Sequence, residues 1–471
     1  MLSPVFRFLG LLLATAWAFG SQAVAADAPN LLPNPELRVG AEGLPAAWTL
    51  WSPRPELALQ GSRVERNGAT ALALRAGGFE AVGKWTTLVR GIEPGKYYRF
   101  EVQHQTESVT SESGSVLVIL SWFRTADGEE SLQRDYVFPV EGGDWTTNAR
   151  TLRAPAEAKS VRVELGLRWA PGGAVYWKNP RLTEVAAPPA RKIRVATTRI
   201  LPDIPTATVA SNTQLMLKMF DEVGPEKSDV VLFSENLATR FVRQPLAEKA
   251  QPIPGPLTNA LAAKARQYRT YAIATLLEAD GKLFHNTAVL IDREGRIVGR
   301  YRKVHLTMGE TESGLTPGHD YPVFDTDFGR IGIMTCWDNW FGESARALRL
   351  AGAEVLFLPL AGDGVPAHWE HVWKARAMDN GVWLVTSSTV TDSPSRILNP
   401  QGEVLADATG GFSHALAEFD LTQKWRVRYI SVGNGYGEPA TLFVKERRPE
   451  TYAPLVDEPP ITGVSSSVKR Q

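Results

Sequence analysis

Three apolar segments of this chain each run into a side chain that can carry acid–base or nucleophilic chemistry. These side chains are Glu235, Lys303 and Cys336, in chain order. Because catalytic groups in open α/β sheets gather beyond the carboxyl ends of strands, the three are predicted to converge on one pocket. A base, a cation and a thiol in one place can perform nucleophilic catalysis. The lysine and a following helix N-terminus are expected to lower the pKa of the thiol.

Each of the three residues also has an ordinary structural explanation. A lone cysteine in an α/β domain often packs as a small buried hydrophobe. A glutamate after a strand commonly caps a helix or is solvated, and a lysine beside Arg302 is ordinarily surface charge. Their occurrence together, each at the end of a predicted strand, favours the catalytic interpretation.

The composition of the 471 residues excludes several classes of protein. The 51 basic residues balance 51 acidic ones, which argues against nucleic acid or an anionic membrane as the main partner. With 44% hydrophobic residues the chain is neither disordered nor fibrous. Cys336 is the single cysteine, so the chain can form neither an intramolecular disulfide nor a thiolate-rich zinc or iron–sulfur site.

Two histidines three residues apart on a predicted helix, His368 and His371, form a conceivable metal-binding pair. No third ligand stands within reach in the sequence, so pocket lining or ordinary packing is the favoured explanation. A Gly-x-Ser-x-Gly motif is absent, which leaves a serine hydrolase unsupported. The residues therefore predict no metal site.

The first 25 residues have the pattern of a signal peptide. Arg7 precedes an apolar run over residues 8–19, and residues 23–25 (AVA) have the small-x-small form that signal peptidase reads. The run is shorter than the roughly 20 residues that a transmembrane helix needs, and an uncleaved membrane anchor is the alternative. The mature chain is expected to begin near Ala26 as a secreted or periplasmic protein without a membrane partner.

The chain divides into two predicted domains joined by a linker. Residues 27–187 contain short alternating runs bounded by glycine, proline, asparagine and aspartate, which indicates an antiparallel β-sandwich. Two prolines in the alanine-rich stretch 186–190 indicate a short, fairly stiff linker. Residues 191–445 alternate strands with helices, as an α/β domain does, and residues 459–471 are expected to be disordered.

Hydrophobic periodicity predicts individual elements in both domains. The expected strands of the first domain are 71–74, 97–102, 115–122, 136–140, 161–167 and 174–177. The expected helices of the second domain are 208–223, 257–269, 341–351 and 366–380. Its expected strands are 193–198, 229–233, 271–276, 287–291, 329–334, 354–359 and 382–387. The glycine-rich stretch 433–437 is interpreted as a turn because no helix follows it.

Four segments of the second domain resemble the motifs of a known enzyme family. They are 229–235 (DVVLFSE), 295–306 (GRIVGRYRKVHL), 332–346 (GIMTCWDNWFGESAR) and 376–380 (RAMDN). In their order and separation, these segments resemble the carbon–nitrogen hydrolases of the nitrilase superfamily. The resemblance implies a four-layer α-β-β-α sandwich and catalytic domains that associate as a homo-oligomer.

The same resemblance implies a Glu–Lys–Cys triad. Cys336 is then the nucleophile, Glu235 the general base and later the acid, and Lys303 the group that stabilises the tetrahedral oxyanion. Glu310 matches a second family glutamate that helps to position substrate and catalytic groups. A thioester forms on the cysteine and water then attacks it, so neither a metal nor an organic cofactor is required.

Aromatic residues cluster around the predicted nucleophile and on a later predicted helix. The candidate substrate-binding residues are Trp337, Trp340, His368 and Trp369. The tryptophans are candidates for an aromatic wall against the substrate, with packing in the core as the alternative.

The first domain has a vaguer resemblance of its own. The segments 30–35, 43–48, 95–98 and 175–182 are similar to the galactose-binding-type jelly rolls found in carbohydrate-binding modules. Seven tryptophans fall within residues 27–187, and their rings either stack on sugars or pack in the core. The resemblance implies an all-β jelly-roll domain and leaves a glycan as a candidate partner.

The sequence therefore predicts an exported thiol hydrolase that cleaves a non-peptide carbon–nitrogen bond in a small amide or N-carbamoyl compound. Two alternatives remain. One is a nitrilase or an N-acyltransferase that uses the same triad. The other is a carbohydrate-binding protein with an inert hydrolase-like domain, which the presence of all three reactive residues disfavours.

Overall fold

The computed structural model describes residues 28–40, 43–362, 365–390 and 392–456. The predicted signal peptide, residues 1–25, and the predicted disordered tail, residues 459–471, lie outside the described residues. Within the described ranges, no helix is both long enough and apolar enough to cross a membrane.

The described residues form two compact units. The first contains Val137–Ala187 together with the described residues up to Glu130. The second contains Ser131–Tyr136 together with the described residues from Pro188 onward.

Strands account for most of the chain between residues 49 and 185. They are β1 (Thr49–Trp51), β2 (Gln60–Arg66), β3 (Ala69–Arg75), β4 (Val82–Arg90), β5 (Tyr97–Glu107), β6 (Val116–Phe123), β7 (Ser131–Tyr136), β8 (Phe138–Glu141), β9 (Thr146–Arg153), β10 (Ser160–Arg168) and β11 (Ala174–Val185). The same stretch contains a short helix, α1 (Glu112–Ser115), and a 3-10 turn at Pro55–Leu57.

The first unit contains two groups of antiparallel strands. One has the order β1-β4-β10-β6 and the other the order β2-β3-β11-β5-β9-β8. Side chains alternate between the faces of a strand, and along β5 Tyr98, Phe100 and Val102 are buried. The Trp85 indole of β4 donates a 3.0 Å hydrogen bond to the carbonyl of Ala73 in β3, so the two groups share a core. The jelly-roll topology of this unit stays a prediction.

The second unit alternates strands and helices. From Lys192 to Ile333 its helices and strands are, in chain order, β12 (Lys192–Ile200), α2 (Val209–Val223), β13 (Val230–Leu232), α3 (Leu246–Lys249), α4 (Pro256–Tyr268), β14 (Tyr271–Asp280), β15 (Leu283–Ile291), β16 (Ile297–Arg302), α5 (Met308–Glu312), β17 (Val323–Asp325) and β18 (Arg330–Ile333). Those that follow are α6 (Gly342–Leu350), β19 (Val355–Leu360), α7 (Pro366–Asn380), β20 (Trp383–Ser388), β21 (Ser395–Leu398), β22 (Val404–Ala408), β23 (Phe412–Asp420), β24 (Val427–Arg428), β25 (Tyr436–Gly437) and α8 (Pro439–Lys445).

Two six-stranded mixed sheets form the centre of this unit, with the orders β16-β15-β14-β13-β12-β23 and β17-β18-β19-β20-β21-β22. Strands β12, β13 and β14 run parallel in the first sheet, and β18, β19 and β20 in the second. Side chains from both sheets, among them Val195, Ile273 and Ile333, form one buried apolar cluster. Thr197 Oγ1 of β12 donates a 2.6 Å hydrogen bond to the carbonyl of Thr386 in β20, which ties the sheets together.

Helices cover the outer faces of both sheets. Helices α2 and α4 pack behind the first sheet through Met216 and Leu261. Helices α6 and α7 pack behind the second through Leu348 and Trp373. The layer order is α-β-β-α, so the predicted α/β class of this domain is confirmed.

Strand β7 belongs to the second unit although it comes from the stretch expected to form the first domain, residues 27–187. Gln133 of β7 pairs with Tyr436 of β25 in a parallel bridge. The Arg426 guanidinium lies 2.6 Å from the carboxylate of the buried Asp135. The second unit therefore includes a strand that precedes its main segment by more than fifty positions in the sequence.

Two element predictions need correction in this region. The single strand expected over 136–140 is replaced by β7 and β8, which Val137 separates. The stretch 433–437, interpreted as a turn, contributes the short strand β25. The second error has a clear cause, because β25 pairs with the distant β7 and such pairing leaves no local pattern.

Candidate active site

The three strand-end residues and the second glutamate surround one cavity in the second unit. Glu235 follows β13, Lys303 directly follows β16, and Cys336 follows β18. Glu310 lies on α5. The cavity has a volume of about 670 Å³. The fold thus brings together residues that are as much as 101 positions apart (336 − 235).

Lys303 stands at the centre of an ion-pair network. Its Nζ donates to Oε1 of Glu235 at 3.0 Å and to the two oxygens of Glu310 at 3.0 and 2.8 Å. Asn286 of β15 donates from Nδ2 to Oε1 of each glutamate at 2.8 Å. The Lys303 side chain is only 1% exposed, so the carboxylates must offset the loss of water around its charge.

This pairing keeps both charges in place. Burial by itself would raise the pKa of Glu235, but the charge and hydrogen bond of Lys303, with contributions from Cys336 and Asn286, bring that pKa below its usual value. Burial would likewise lower the pKa of Lys303, but Glu235, Cys336 and Glu310 raise it above its usual value. At neutral pH the site therefore holds a carboxylate base and an ammonium cation.

Cys336 lies beside Glu235 in a strained backbone conformation. Its φ of 47° falls in the left-handed region that residues other than glycine rarely adopt. The residue is 8% exposed. Burial, and after it the charge of Glu235, raises the pKa of the thiol above its usual value, while Lys303 and a hydrogen bond from the Gly362 backbone oppose this effect.

The expectation of a lowered thiol pKa is therefore wrong. It considered the lysine and the helix N-terminus but neither the loss of water nor the adjacent carboxylate, which together have the larger effect. The resting thiol therefore keeps its proton. The base that must take the proton faces the same cavity.

Glu310 also fixes the start of its own helix. Its backbone N–H donates to Thr307 Oγ1 at 3.2 Å, and the Thr307 backbone N–H donates to Glu310 Oε2 at 2.8 Å. This reciprocal arrangement is a capping box. It holds in place the same carboxylate that contacts the buried lysine.

A buried aspartate connects the segment of the lysine to the segment of the cysteine. Asp338 Oδ2 accepts from the Tyr301 hydroxyl at 2.5 Å and from the Thr335 N–H at 2.9 Å. Asp338 Oδ1 accepts from the His305 N–H at 2.9 Å and lies 2.9 Å from His305 Nδ1. Tyr301 and His305 flank the lysine, and Thr335 precedes the cysteine. We call these four residues the Asp338 clamp.

Two of the four candidate substrate-binding residues line the cavity, namely Trp337, which is 37% exposed, and the buried Trp369. Trp340 is not part of the described lining and packs edge-on against Trp369, with ring centroids 5.3 Å apart. His368 is exposed on α7 and is also not part of that lining. In the part of the chain that the structure describes, no group of three or more His, Cys, Asp or Glu side chains could hold a metal ion.

Several residues of the site carry no motif. The Ala361 N–H donates to Glu235 Oε2 at 2.9 Å, and a backbone donor cannot be read from side-chain types. Asn286 is a polar residue within a largely apolar strand, and this position was the sequence signal that could have identified it as part of the site. Arg240 and Phe241 line the cavity after Glu235, but in the sequence they look like ordinary loop residues.

Comparisons with known proteins identify the second unit. A family profile described as carbon–nitrogen hydrolase matches residues 193–427. Omega-amidase NIT2 of Homo sapiens is 30% identical over 227 residues, which cover 44% of this chain and 82% of the relative. The chain belongs to the carbon–nitrogen hydrolase family. It is an amidase-type enzyme of the nitrilase superfamily.

Two further proteins extend the comparison of this carbon–nitrogen hydrolase. N-carbamoylputrescine amidase of Solanum lycopersicum is 29% identical over 301 residues, which cover 57% of this chain and 97% of the relative. Among solved structures, Nit3 of Saccharomyces cerevisiae, a member of the nitrilase superfamily, is 24% identical. The alignment covers 49% of this chain and 90% of Nit3, with a TM-score of 0.45.

The geometry of this carbon–nitrogen hydrolase suits attack on a carbonyl carbon. The thiol and a carboxylate base line one cavity, an arrangement that nucleophilic catalysis uses. The ammonium that pairs with this base lines the same cavity, where a cation can stabilise negative charge that develops on a carbonyl oxygen. The Asp338 clamp and the capping box hold these groups at fixed positions before substrate binds.

Proposed function

We propose that this enzyme hydrolyses a small carboxamide or N-carbamoyl compound through a thioester on Cys336. The observation that carries the proposal is the ion pair in which Lys303 Nζ donates to Glu235 Oε1 at 3.0 Å, in the cavity that Cys336 also lines. All three groups face one cavity. A buried thiol, an ionised base and a cation gathered around one cavity serve acyl transfer, and a purely structural role requires none of them.

In the first step the thiol attacks the substrate carbonyl carbon. The Glu235 carboxylate takes the thiol proton as the S–C bond forms, and the carbonyl oxygen becomes an oxyanion. Lys303 and the backbone N–H of Trp337 are the proposed donors to that oxyanion. A single donor of this kind contributes about 3–4 kcal/mol to the transition state in enzymes where it has been removed.

In the second step the tetrahedral intermediate collapses. The protonated Glu235 gives its proton to the leaving nitrogen, the C–N bond breaks, and ammonia or an amine departs. A thioester and an ionised Glu235 remain, so the carboxylate is again available as a base.

In the third step water attacks the thioester. Glu235 takes a proton from the water as the new C–O bond forms, and the C–S bond then breaks. The proton on Glu235 returns to the departing thiolate, which the raised thiol pKa favours. The products are a carboxylic or carbamic acid and the resting enzyme.

The test is a screen of amides, N-carbamoyl compounds and nitriles for release of ammonia. We expect turnover of an amide or a carbamoyl compound, complete loss of turnover in Cys336→Ala, and no transfer of the acyl group to an added amine. Turnover of nitriles alone, or acyl transfer to the amine, would replace the proposal with one of its two enzymatic alternatives.

We also propose that the enzyme is exported, that it forms a homo-oligomer, and that its first unit is a jelly roll that binds a glycan. Arg7 and the apolar residues 8–19 support export. The strand-rich first unit and its exposed Trp51 support sugar binding, since an accessible indole can stack on a sugar ring.

Three measurements address these proposals. Mass spectrometry of the secreted chain is expected to give a mature N-terminus near Ala26. Light scattering is expected to give a multiple of the monomer mass. Affinity electrophoresis is expected to show that a polysaccharide retards the full chain and that Trp51→Ala reduces the effect. A chain of full length, a monomer, or unchanged mobility in every gel would remove the corresponding proposal.

A further inference from the structure

A second cation lines the catalytic cavity and has no role in the proposed mechanism. Arg240 lies five residues after Glu235, at the end of the 3-10 helix Leu237–Thr239. It forms no ion pair with any carboxylate among the described residues. Burial lowers its pKa relative to the usual value for arginine, although the charge of Glu235 acts in the opposite direction.

The hydrogen-bonding capacity of Arg240 is largely unused. A guanidinium carries five N–H donors. In the described part of the chain, Nη2 lies 3.5 Å from the carbonyl of Ala361, at the limit of a hydrogen bond, and the buried Nε has no partner. The Arg240 guanidinium carbon lies 4.6 Å from the centre of the Phe241 ring, so this ring restrains its position. Buried donors without partners destabilise the folded protein, so a partner is expected from the ligand.

The other charged groups of the described lining are already satisfied. Glu235 accepts hydrogen bonds from Lys303, Asn286 and the backbone of Ala361. Glu310 accepts from Lys303, from Asn286 and from its own capping box. The amide oxygen of Asn236 in the same lining has no partner, but both carboxylates are occupied, whereas the charged donors of Arg240 are open. This imbalance favours a ligand that brings acceptor oxygens and negative charge.

We propose that Arg240 binds a carboxylate on the substrate, so that the preferred substrate is an amide or N-carbamoyl compound that carries a carboxylate away from its scissile bond. The inference rests on the proposed hydrolysis at Cys336 and names the substrate class for it. A planar guanidinium and a planar carboxylate form two parallel hydrogen bonds, which fix orientation as well as affinity. Binding at Arg240 would present the far end of the molecule to the thiol.

Three five-carbon amides that differ in one terminal group test the proposal. Glutaramate ends in a carboxylate, pentanamide in a methyl group and 5-aminopentanamide in an ammonium group. For the unmodified enzyme we expect kcat/KM to be at least about 10-fold higher for glutaramate than for pentanamide, and lowest for 5-aminopentanamide. Homologous sets with four and six carbons allow for the distance between the thiol and Arg240.

Substitution of Arg240 is expected to remove this preference. Arg240→Gln should reduce the ratio of the kcat/KM values for glutaramate and pentanamide by about 10- to 100-fold, mainly through the KM of glutaramate. Arg240→Lys keeps the charge but loses the planar fork, so it should retain only part of the ratio. Arg243→Gln is the matched control, because Arg243 is exposed on the same loop and does not line the cavity, and it should keep the ratio of the unmodified enzyme.

Calorimetry separates this inference from the proposed function. Cys336→Ala cannot turn over, and we expect it to bind glutaramate more tightly than pentanamide, with the difference lost when Arg240→Gln is added. Equal binding of the two amides, or a preference for 5-aminopentanamide, would overturn the inference even if amides are hydrolysed. A clear binding preference for glutaramate without turnover of any amide would instead overturn the proposed hydrolysis and leave the anion site standing.

Discussion

Lys303 and Cys336 are both buried, yet the lysine is charged and the cysteine is neutral. Lys303 keeps its charge because two carboxylates contact it. Burial, and after it the repulsion between a thiolate and the Glu235 carboxylate, raises the pKa of Cys336, so the thiol keeps its proton. Attack by sulfur and transfer of the proton to Glu235 must therefore be coupled. A substrate carbonyl near Lys303 supplies the partner charge that makes this transfer favourable.

The pH dependence of the enzyme follows from these shifts. Glu235 has a lowered pKa, so its carboxylate persists at neutral pH and is lost only as pH falls through a value below its usual 4.5. The Cys336 thiol and Lys303 have raised pKa values, so both keep their protons above neutral pH. We expect kcat/KM to be level from about pH 5 to about pH 9 and to fall in acid as Glu235 is protonated. A half-maximal rate near pH 6 would show that the pKa of Glu235 is raised, because burial then has a larger effect on it than Lys303 does.

Loss of either partner of the thiol should reduce turnover strongly. Glu235→Gln removes the proton carrier and Lys303→Met removes the cation, so each should lower kcat by at least about 100-fold. The double variant should be little worse than either single one, because the groups act as a unit. Glu248→Gln and Lys282→Met alter exposed residues of the same types and should retain kcat. A near-normal rate in Glu235→Gln would exclude it as the base.

Alkylation provides a measure of Cys336 that does not depend on a substrate. As the single thiol, it should react with one equivalent of iodoacetamide, and activity should be lost in proportion to labelling. Since the thiol pKa is raised, the reaction rate should show no inflection near its usual 9.0. Full activity after complete labelling would end the nucleophile assignment.

The sequence predicted the groups that carry chemistry better than the groups that position them. Glu235, Lys303 and Cys336 stand in motifs, Glu310 was named through the family resemblance, and the structure gathers all four around one cavity. The Ala361 backbone donor has no side-chain signature, and the open donors of Arg240 appear only when its neighbours in space are known. The thiol pKa was predicted in the wrong direction because desolvation also depends on those neighbours.

At the scale of elements, prediction worked where one periodicity continued without interruption. Helix α7 occupies Pro366–Asn380, the range expected from its pattern. Strand β5 was expected over 97–102 but continues to Glu107. Residues 103–107 (QHQTE) are all polar, so hydrophobic alternation could not reveal this part of the strand. Strands β4 and β9 were missed for a similar reason, because many of their residues are small or polar. Strands that contain many polar residues are therefore missed or shortened when strands are predicted from hydrophobic periodicity alone.

The Asp338 clamp joins the strand end of β16 to the turn after β18, and its loss should impair positioning of the triad. Asp338→Ala leaves the donors of Tyr301, His305 and Thr335 without their acceptor. We expect kcat to fall by at least about 10-fold, since small misplacements of catalytic groups have large effects. Tyr301→Phe removes the hydrogen bond to Asp338 and the one that its hydroxyl accepts from the Val304 N–H, and it should lower kcat less and reduce the free energy of unfolding by about 1–2 kcal/mol.

The rate of alkylation of Cys336 tests whether the clamp acts through the site. It should change in Asp338→Ala but not in Asp325→Ala, which breaks an exposed ion pair with Arg330. Normal kcat in a folded Asp338→Ala enzyme would reduce the clamp to a structural feature without influence on catalysis.

At the scale of the whole molecule, the two compact units do not coincide with two uninterrupted stretches of sequence. Strand β7 lies within the stretch that otherwise forms the first unit, but it pairs with β25 and supplies Asp135 to Arg426. A chain that starts near Arg191 includes the catalytic residues and lacks this strand. Truncation should therefore lower the stability of this chain while its catalytic activity is retained.

We expect the chain from Arg191 onward to hydrolyse a small amide at low temperature and to have a lower Tm than the full protein. Removal of β7 leaves the partly buried Arg426 without its carboxylate partner, a change that typically destabilises a protein by about 3–5 kcal/mol. Asp135→Asn in the full chain removes the same charge without truncation, so it should reproduce part of the loss in Tm. Asp144→Asn, at an exposed position, is the matched control and should keep the Tm. An unchanged Tm in both the truncated chain and Asp135→Asn would show that β7 contributes nothing to the stability of the second unit. Loss of activity in a truncated chain that is still folded would show that the active site depends on residues before Arg191.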